Sequence, residues 1–118
     1  MAETSVVDLF RAELPGALDR LAQDEWAVTT LRERLTNIAT PEEAFASVPD
    51  VIRFAGIQGD SYAFLSCCWF ALGLAHRSAT TEVPNELPTV LRAAKLRAVE
   101  FECEAEVMNV AAWYRLAI

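Results

Sequence analysis

Residues 60–77, DSYAFLSCCWFALGLAHR, constrain the fold of this chain more than any other segment. Plotted at about 100° per residue, their large apolar side chains surround the helical axis almost completely. A helix that is apolar nearly all round has to be enclosed by other elements. Its apolar part, residues 62–75, is shorter than the roughly 20 residues that a membrane-spanning helix needs. We therefore predict a buried central helix at about 60–77 in a soluble helical domain.

Capping signals predict where several helices begin. Ser5 followed three residues later by Asp8 resembles a capping box. Thr40-Pro41-Glu42-Glu43 combines a cap, a proline in the first turn and a returning glutamate. Asp60 is placed to cap the buried helix. No segment alternates apolar and polar residues as a half-buried strand would. The 118 residues are therefore expected to form a single all-α domain, a compact bundle of five or six helices.

Apolar spacing and prolines predict the extent of the remaining helices. Apolar residues recur at threes, fours and sevens between Pro15 and about residue 39, which favours one long amphipathic helix. Glu25 falls on its apolar seam, so either the helix breaks near residue 24 or this glutamate is partly buried. Pro49 should end the helix that begins after Thr40, because proline lacks the N–H that would continue the hydrogen-bonding pattern. A further short helix is then expected up to Gly56.

A long C-terminal helix, predicted from about Pro88 almost to the end of the chain, would have two apolar faces. One stripe holds Leu96, Val99, Cys103, Val107, Val110 and Tyr114. The second holds Val90, Ala94, Phe101, Ala105, Met108, Ala112 and Leu116. Helices that pack only against their own domain normally show one such stripe. Either neighbours enclose this helix on both sides, or the Phe101/Met108 stripe contacts a partner.

Charge and cysteine content limit the classes of partner. The net charge is −7, and the ten basic residues are scattered. Duplex nucleic acid and anionic membranes, which need clustered Lys and Arg, are therefore not expected as partners. An acidic chain suits a basic protein partner, although many soluble proteins share this balance. The three cysteines include two adjacent ones inside a helix, which does not fit a disulfide framework and indicates a reducing cytoplasm.

Residues that could carry chemistry do not form a catalytic set. His76 is the single histidine, whereas a di-iron bundle needs a Glu-x-x-His motif on each of two helices. Cys68 and His76 are eight residues apart on one helix, about 12 Å along its axis, which is too far for a direct hydrogen bond. No glycine-rich phosphate loop is present. We expect no catalytic residues, no metal site, no cofactor, and cysteines that serve packing.

The leading functional hypothesis is a small acidic cytoplasmic protein that binds another protein. It would act by occluding that protein's surface, as inhibitors of the immunity, antitoxin or anti-defence kind do. The candidate contact residues are Glu100, Phe101, Glu102, Glu104, Glu106, Met108 and Trp113. A homodimer is compatible with the same face. The alternative is a small-molecule-binding protein or enzyme with a pocket between helices, where Tyr62, Ser66 and His76 would supply polar contacts.

Overall fold

Helices form all the regular structure in residues 5–118, the part of the chain that this computed structural model describes. They are α1 (Val6–Asp19), α2 (Ala27–Ile38), α3 (Pro41–Gly56), α4 (Ser61–Ser78), α5 (Leu87–Phe101) and α6 (Glu104–Trp113), with a 3-10 turn at Arg20–Ala22 after α1. The predicted all-α fold of five or six helices is confirmed. None of these helices is long and apolar enough to cross a membrane.

The six helices form three antiparallel hairpins that stack side by side. The α3/α4 hairpin lies in the middle, because α3 contacts α1 and α5 while α4 contacts α2 and α6. The helices thus form two layers, α1-α3-α5 and α2-α4-α6. The molecule measures 39 × 38 × 22 Å, and its short dimension matches two layers of helices about 10 Å thick. The α5/α6 hairpin consequently forms one edge of the stack.

Helix α4 is the buried central helix that the sequence predicts. Its neighbours are α2, α3 and α6, and Phe64, Phe70 and Leu74 are at most 1% exposed. The Phe70 ring stacks on that of Phe10 from α1, with 4.3 Å between centroids. Trp69, by contrast, is only partly buried, although the pattern of the segment suggests a core residue. The helix is therefore enclosed on most of its circumference, and Leu65, Trp69 and Leu72 form one stripe that is only partly buried.

The predicted caps are present at three helices. The side chains of Ser5, Thr40 and Asp60 accept hydrogen bonds from the backbone N–H three residues further on, at 3.1, 3.0 and 3.0 Å. Each bond satisfies one of the N–H groups that a helix start leaves without a partner. The sequence thus predicts correctly where α1, α3 and α4 begin.

Two predicted helix boundaries are wrong. Pro15 does not begin a helix, because it lies inside α1. The helix breaks between Asp19 and Ala27, as one of the two alternatives for Glu25 predicts, and there the Asp24 carboxylate accepts from the N–H of Trp26 at 3.0 Å. Glu25 is exposed in this break, which resolves its conflict with the apolar seam. Pro49 does not end a helix: it lies buried within α3. The loss of about 3 kcal/mol for an interior proline is offset there by burial of Val48 and Ile52 on either side.

The predicted long C-terminal helix is also wrong, because it is two helices. Helix α5 ends at Phe101, and Glu102 adopts a left-handed conformation with φ of 57°. The N–H of Cys103 then donates to the carbonyl of Ala98 at 2.9 Å, which closes a Schellman-type turn. Helix α6 starts at Glu104 and packs back against α5 and α4.

Candidate protein-binding face

The turn at Glu102 exchanges the two apolar stripes of the predicted continuous helix. Of the stripe expected in the core, Leu96 and Val99 are 75% and 57% exposed, while its members after the turn are buried. Of the stripe expected to meet a partner, Ala94 is buried and Ala105 and Met108 are exposed. The turn changes the helical phase, so each stripe faces the interior in one helix and solvent in the other.

We name the solvent-facing side of the α5/α6 hairpin the outer face. On α6 its exposed residues are Ala105, Met108, Asn109 and Ala112, none of which is charged. On α5 they are Thr89, Arg92, Ala93, Leu96, Val99 and Glu100. By helical phase, Val99 and Met108 lie nearest the groove between the two helices. Leu96, Val99 and Met108 are therefore three large apolar side chains exposed on this face, a composition typical of protein contacts.

Two of the predicted contact residues belong to the domain's own packing. Phe101 is partly buried against the ring of Phe64, with centroids 5.6 Å apart, and its other side is covered by the Arg97 guanidinium. Trp113 packs on His76, and its Nε1 donates to the carbonyl of Thr80 at 3.0 Å. Phe101 and Trp113 hold the hairpin to α4 and its following loop, and neither presents an anchor on the outer face.

The four glutamates proposed as a charged rim surround the turn. Glu100 and Glu102 are exposed, and Glu104 and Glu106 occupy the first turn of α6 with partial burial. The helix dipole stabilises negative side chains at a helix N-terminus. The dipole therefore accounts for the positions of Glu104 and Glu106, and no binding partner is needed to explain them. Glu100 pairs with Arg97. The structure thus brings the four glutamates together at one end of the hairpin, beside Met108 and Val99.

The acidic excess of the protein lies outside this hairpin. Residues 87–118 contain four acidic and four basic side chains, so their formal charge is zero, and residues 1–86 carry the whole net charge of −7. The charge of the outer face is therefore balanced, although the chain as a whole is acidic. Complementarity to this face requires both signs of charge, which a uniformly basic partner would not supply.

The alternative pocket at Tyr62, Ser66 and His76 is not formed by these residues together. Tyr62 and His76 lie fourteen residues apart on α4, about 21 Å along its axis. The Ser66 hydroxyl is fully buried and donates to the Tyr62 carbonyl at 2.8 Å. His76 is exposed in the last turn of α4, where its ring contacts Trp113.

A groove of about 350 Å³ does lie between α2 and α4, and sequence reasoning missed it. The Arg32 guanidinium lies over the Trp69 ring at 5.2 Å, and the Tyr62 ring meets the indole edge-on at 6.1 Å. Burial lowers the pKa of Arg32, and its Nε has no acceptor among the described residues. Thr36 and Asn37 add polar groups to the lining, and Glu33 adds a carboxylate. No motif marks this groove, because it depends on the packing of α2 against α4.

The three cysteines are buried free thiols. Cys67, Cys68 and Cys103 are 0, 1 and 4% exposed. Burial raises the pKa of Cys68 to about 12 and also raises the pKa of the other two thiols. A thiol with a raised pKa has little of the reactive thiolate at neutral pH. Their position and protonation favour packing over nucleophilic chemistry.

Within residues 5–118, no group of three or more His, Cys, Asp and Glu side chains is arranged to hold a metal ion. The outer face and the Arg32/Trp69 groove are two surface features that a function could use. Trp26, Ile38 and Ile57 are also exposed large apolar side chains, none of them on the α5/α6 hairpin. Comparison with known proteins finds no family model that matches this chain and no significantly similar curated protein or solved structure.

Proposed function

We propose that this protein binds another protein chain through the outer face of the α5/α6 hairpin and acts by occupying that chain's surface. The observation that supports this most is the composition of α6. Its exposed residues are uncharged, and Met108 among them is 38% exposed. Exposed helix faces of monomeric proteins normally carry charged and polar residues, whereas interface cores are depleted of charge.

The position of this face in the fold gives further support. In the stack of hairpins, α3/α4 is covered on both sides, whereas no further helix from residues 5–118 packs against the outer face. A helical element from another chain would continue the stack and bury Leu96, Val99 and Met108. Inhibition by occlusion, as immunity proteins and antitoxins achieve it, is one use of such a face and stays a prediction.

Site-specific photo-crosslinking tests this function. A photoreactive amino acid replaces Ala112 on the outer face or, as the matched control, the exposed Ala46 on α3. In cells that make the protein, we expect a discrete protein adduct from position 112 and none from position 46. Adducts at neither position, or equally at both, would contradict a binding role for the outer face.

A second candidate function, binding of a small anionic molecule, is favoured by the Arg32/Trp69 groove. The Arg32 guanidinium donates a hydrogen bond to the Thr29 hydroxyl at 3.2 Å. A ligand carboxylate or phosphate would give the guanidinium a charged acceptor in addition. Native mass spectrometry of freshly purified protein should then show a bound small molecule that Trp69→Ala abolishes. A spectrum of bare polypeptide for both forms would argue against this candidate.

A further inference from the structure

The charged residues on the outer face and at its two ends are separated by sign along the hairpin. Glu100 and Glu102 lie at the end where α5 turns into α6. Arg92 lies in the second turn of α5, and Arg115 follows the end of α6. The Lys95 ammonium donates to the carbonyl of Ile118 at 2.9 Å, so the segment after α6 lies beside the middle of α5. Arg97 pairs with Glu100 at the first end, and Glu86, which precedes α5 at the other end, pairs with Arg53. The charges left over are therefore acidic at the end with the turn and basic at the opposite end.

A surface with this charge pattern is complementary to itself in one orientation. If two copies face each other antiparallel about a two-fold axis, the acidic end of each copy meets the basic end of the other. Resting on the proposed function, we infer that the outer face is covered by a second copy of this chain in such an antiparallel pair. Any other protein that binds there then competes with self-association.

The uncharged centre of the face has the spacing that helix pairing needs. On α6, Ala105, Met108 and Ala112 follow one another at three and four residues, and Leu96 and Val99 on α5 are three apart. Side chains at this spacing form a continuous seam along one side of a helix. The alanines allow a close approach of the two α6 helices, and Met108 adapts to an irregular opposing surface.

Charge and size together predict a weak and reversible pair. The hairpin is neutral, so the whole net charge of −7 lies on residues 1–86, outside the contact. Helix α5 is about 22 Å long, and two helices side by side are about 20 Å wide, so roughly 400 Å² per copy is available. The total falls below the usual 1,200–2,000 Å² of stable complexes. We expect a dissociation constant of about 10–100 µM.

Sedimentation equilibrium of the purified full chain at low salt tests this inference with two variants. One is Glu100→Lys with Glu102→Lys, and the other is Arg92→Glu with Arg115→Glu; all four residues are exposed. Wild type should move from 13.0 kDa toward twice that mass as its concentration rises through the expected dissociation constant. Each variant alone opposes like charges at both ends, so its association should weaken about tenfold or more.

Mixing the two variants is the decisive step. In the mixed pair every acidic end again faces a basic one, so association should return to within about threefold of wild type. Unchanged association in either variant alone would place the contact elsewhere and overturn the inference. A mixture more than about tenfold tighter than wild type would indicate a parallel pair and would overturn the antiparallel arrangement. Circular dichroism confirms that the variants are folded.

A wild-type protein that stays monomeric up to about 500 µM, well above the expected dissociation constant, would also overturn self-association. It would leave the proposed function standing, because crosslinking from position 112 detects any protein partner. Conversely, an adduct that consists of two copies of this chain would support both. The two experiments therefore separate failure of the inference from failure of the function.

Discussion

Helices α4 and α6 are both apolar around most of their circumference, yet they have different surroundings. Helix α4 contacts α2, α3 and α6, and each of its large apolar side chains is buried or partly buried. Helix α6 contacts α4 and α5, and its remaining side, with Met108, is exposed. A helix that is apolar around most of its circumference can therefore still have one side that its own chain leaves exposed. Where the fold supplies too few neighbours, the same pattern indicates a surface for another chain.

The largest expected effect comes from truncating the enclosed side of α4. Phe70→Ala should lower the free energy of unfolding by about 3–5 kcal/mol, because the ring is 1% exposed and stacks on Phe10. Trp69→Ala, one residue earlier but only partly buried, should cost about 1–3 kcal/mol. Urea titration measures both. If the tryptophan proved as costly as the phenylalanine, the stripe at Trp69 would be as well enclosed as the rest of α4.

Alkaline pH should destabilise the protein through its buried thiols. Cys67 and Cys68 lie on α4, and Cys103 directly precedes α6. Their pKa values are raised above the unfolded value of about 8.5, to about 12 for Cys68. The contribution of these buried thiols to the free energy of unfolding is fully present below about pH 8.5. It falls as the pH rises toward the pKa of the folded state, because the thiols of the unfolded chain lose their protons first. We expect a loss of up to about 1.4 kcal/mol per pH unit and thiol.

Urea unfolding under reducing conditions from pH 7 to 10 measures this loss, with Cys68→Ala as the matched control. The variant should be less stable at pH 7 but should show a shallower decline above about pH 9. An identical decline in both proteins would mean that Cys68 ionises equally in the folded and unfolded chain. Native protein should also react slowly with a thiol reagent at all three positions.

The smallest expected effect concerns how α4 and α5 end. Ala79 after α4 and Glu102 after α5 both adopt left-handed conformations, with φ of 59° and 57°. Glycine adopts this conformation without the strain that a Cβ introduces. Ala79→Gly and Glu102→Gly should each raise the free energy of unfolding by about 0.5–1 kcal/mol. A loss of stability on Glu102→Gly would show that its side chain contributes more to the turn than the strain costs.

The central helix and three of the helix starts were predictable because their signals are local. Ser5, Thr40 and Asp60 cap the N–H groups directly after them, and the apolar circumference of α4 reflects its enclosure. The boundary at Pro49 was not predictable, since only the packing of α3 against its neighbours outweighs the missing hydrogen bond. Local rules thus fixed the helix starts, and tertiary packing decided where α3 ends.

The outer face could be predicted only in part, because its geometry depends on the turn at Glu102. No glycine or proline marks this turn, and a glutamate occupies the left-handed position that glycine usually takes. The available signal was the repulsion that glutamates at 100, 102, 104 and 106 would cause at four-residue spacing on one helix. Met108 was placed correctly on the exposed side, whereas Leu96 and Val99 were assigned to the wrong side.

The most direct measurement of an uncovered outer face compares three leucine truncations in the monomer. Leu74 on α4 and Leu91 on α5 are 0% exposed, whereas Leu96, five residues after Leu91, is 75% exposed. At about 1 µM protein, well below the expected dissociation constant, Leu74→Ala and Leu91→Ala should each lower the free energy of unfolding by about 2–5 kcal/mol. Leu96→Ala should change it by less than about 0.5 kcal/mol. A loss of about 2 kcal/mol or more for Leu96→Ala would show that this side is packed within the chain itself and would contradict a face left open for a partner.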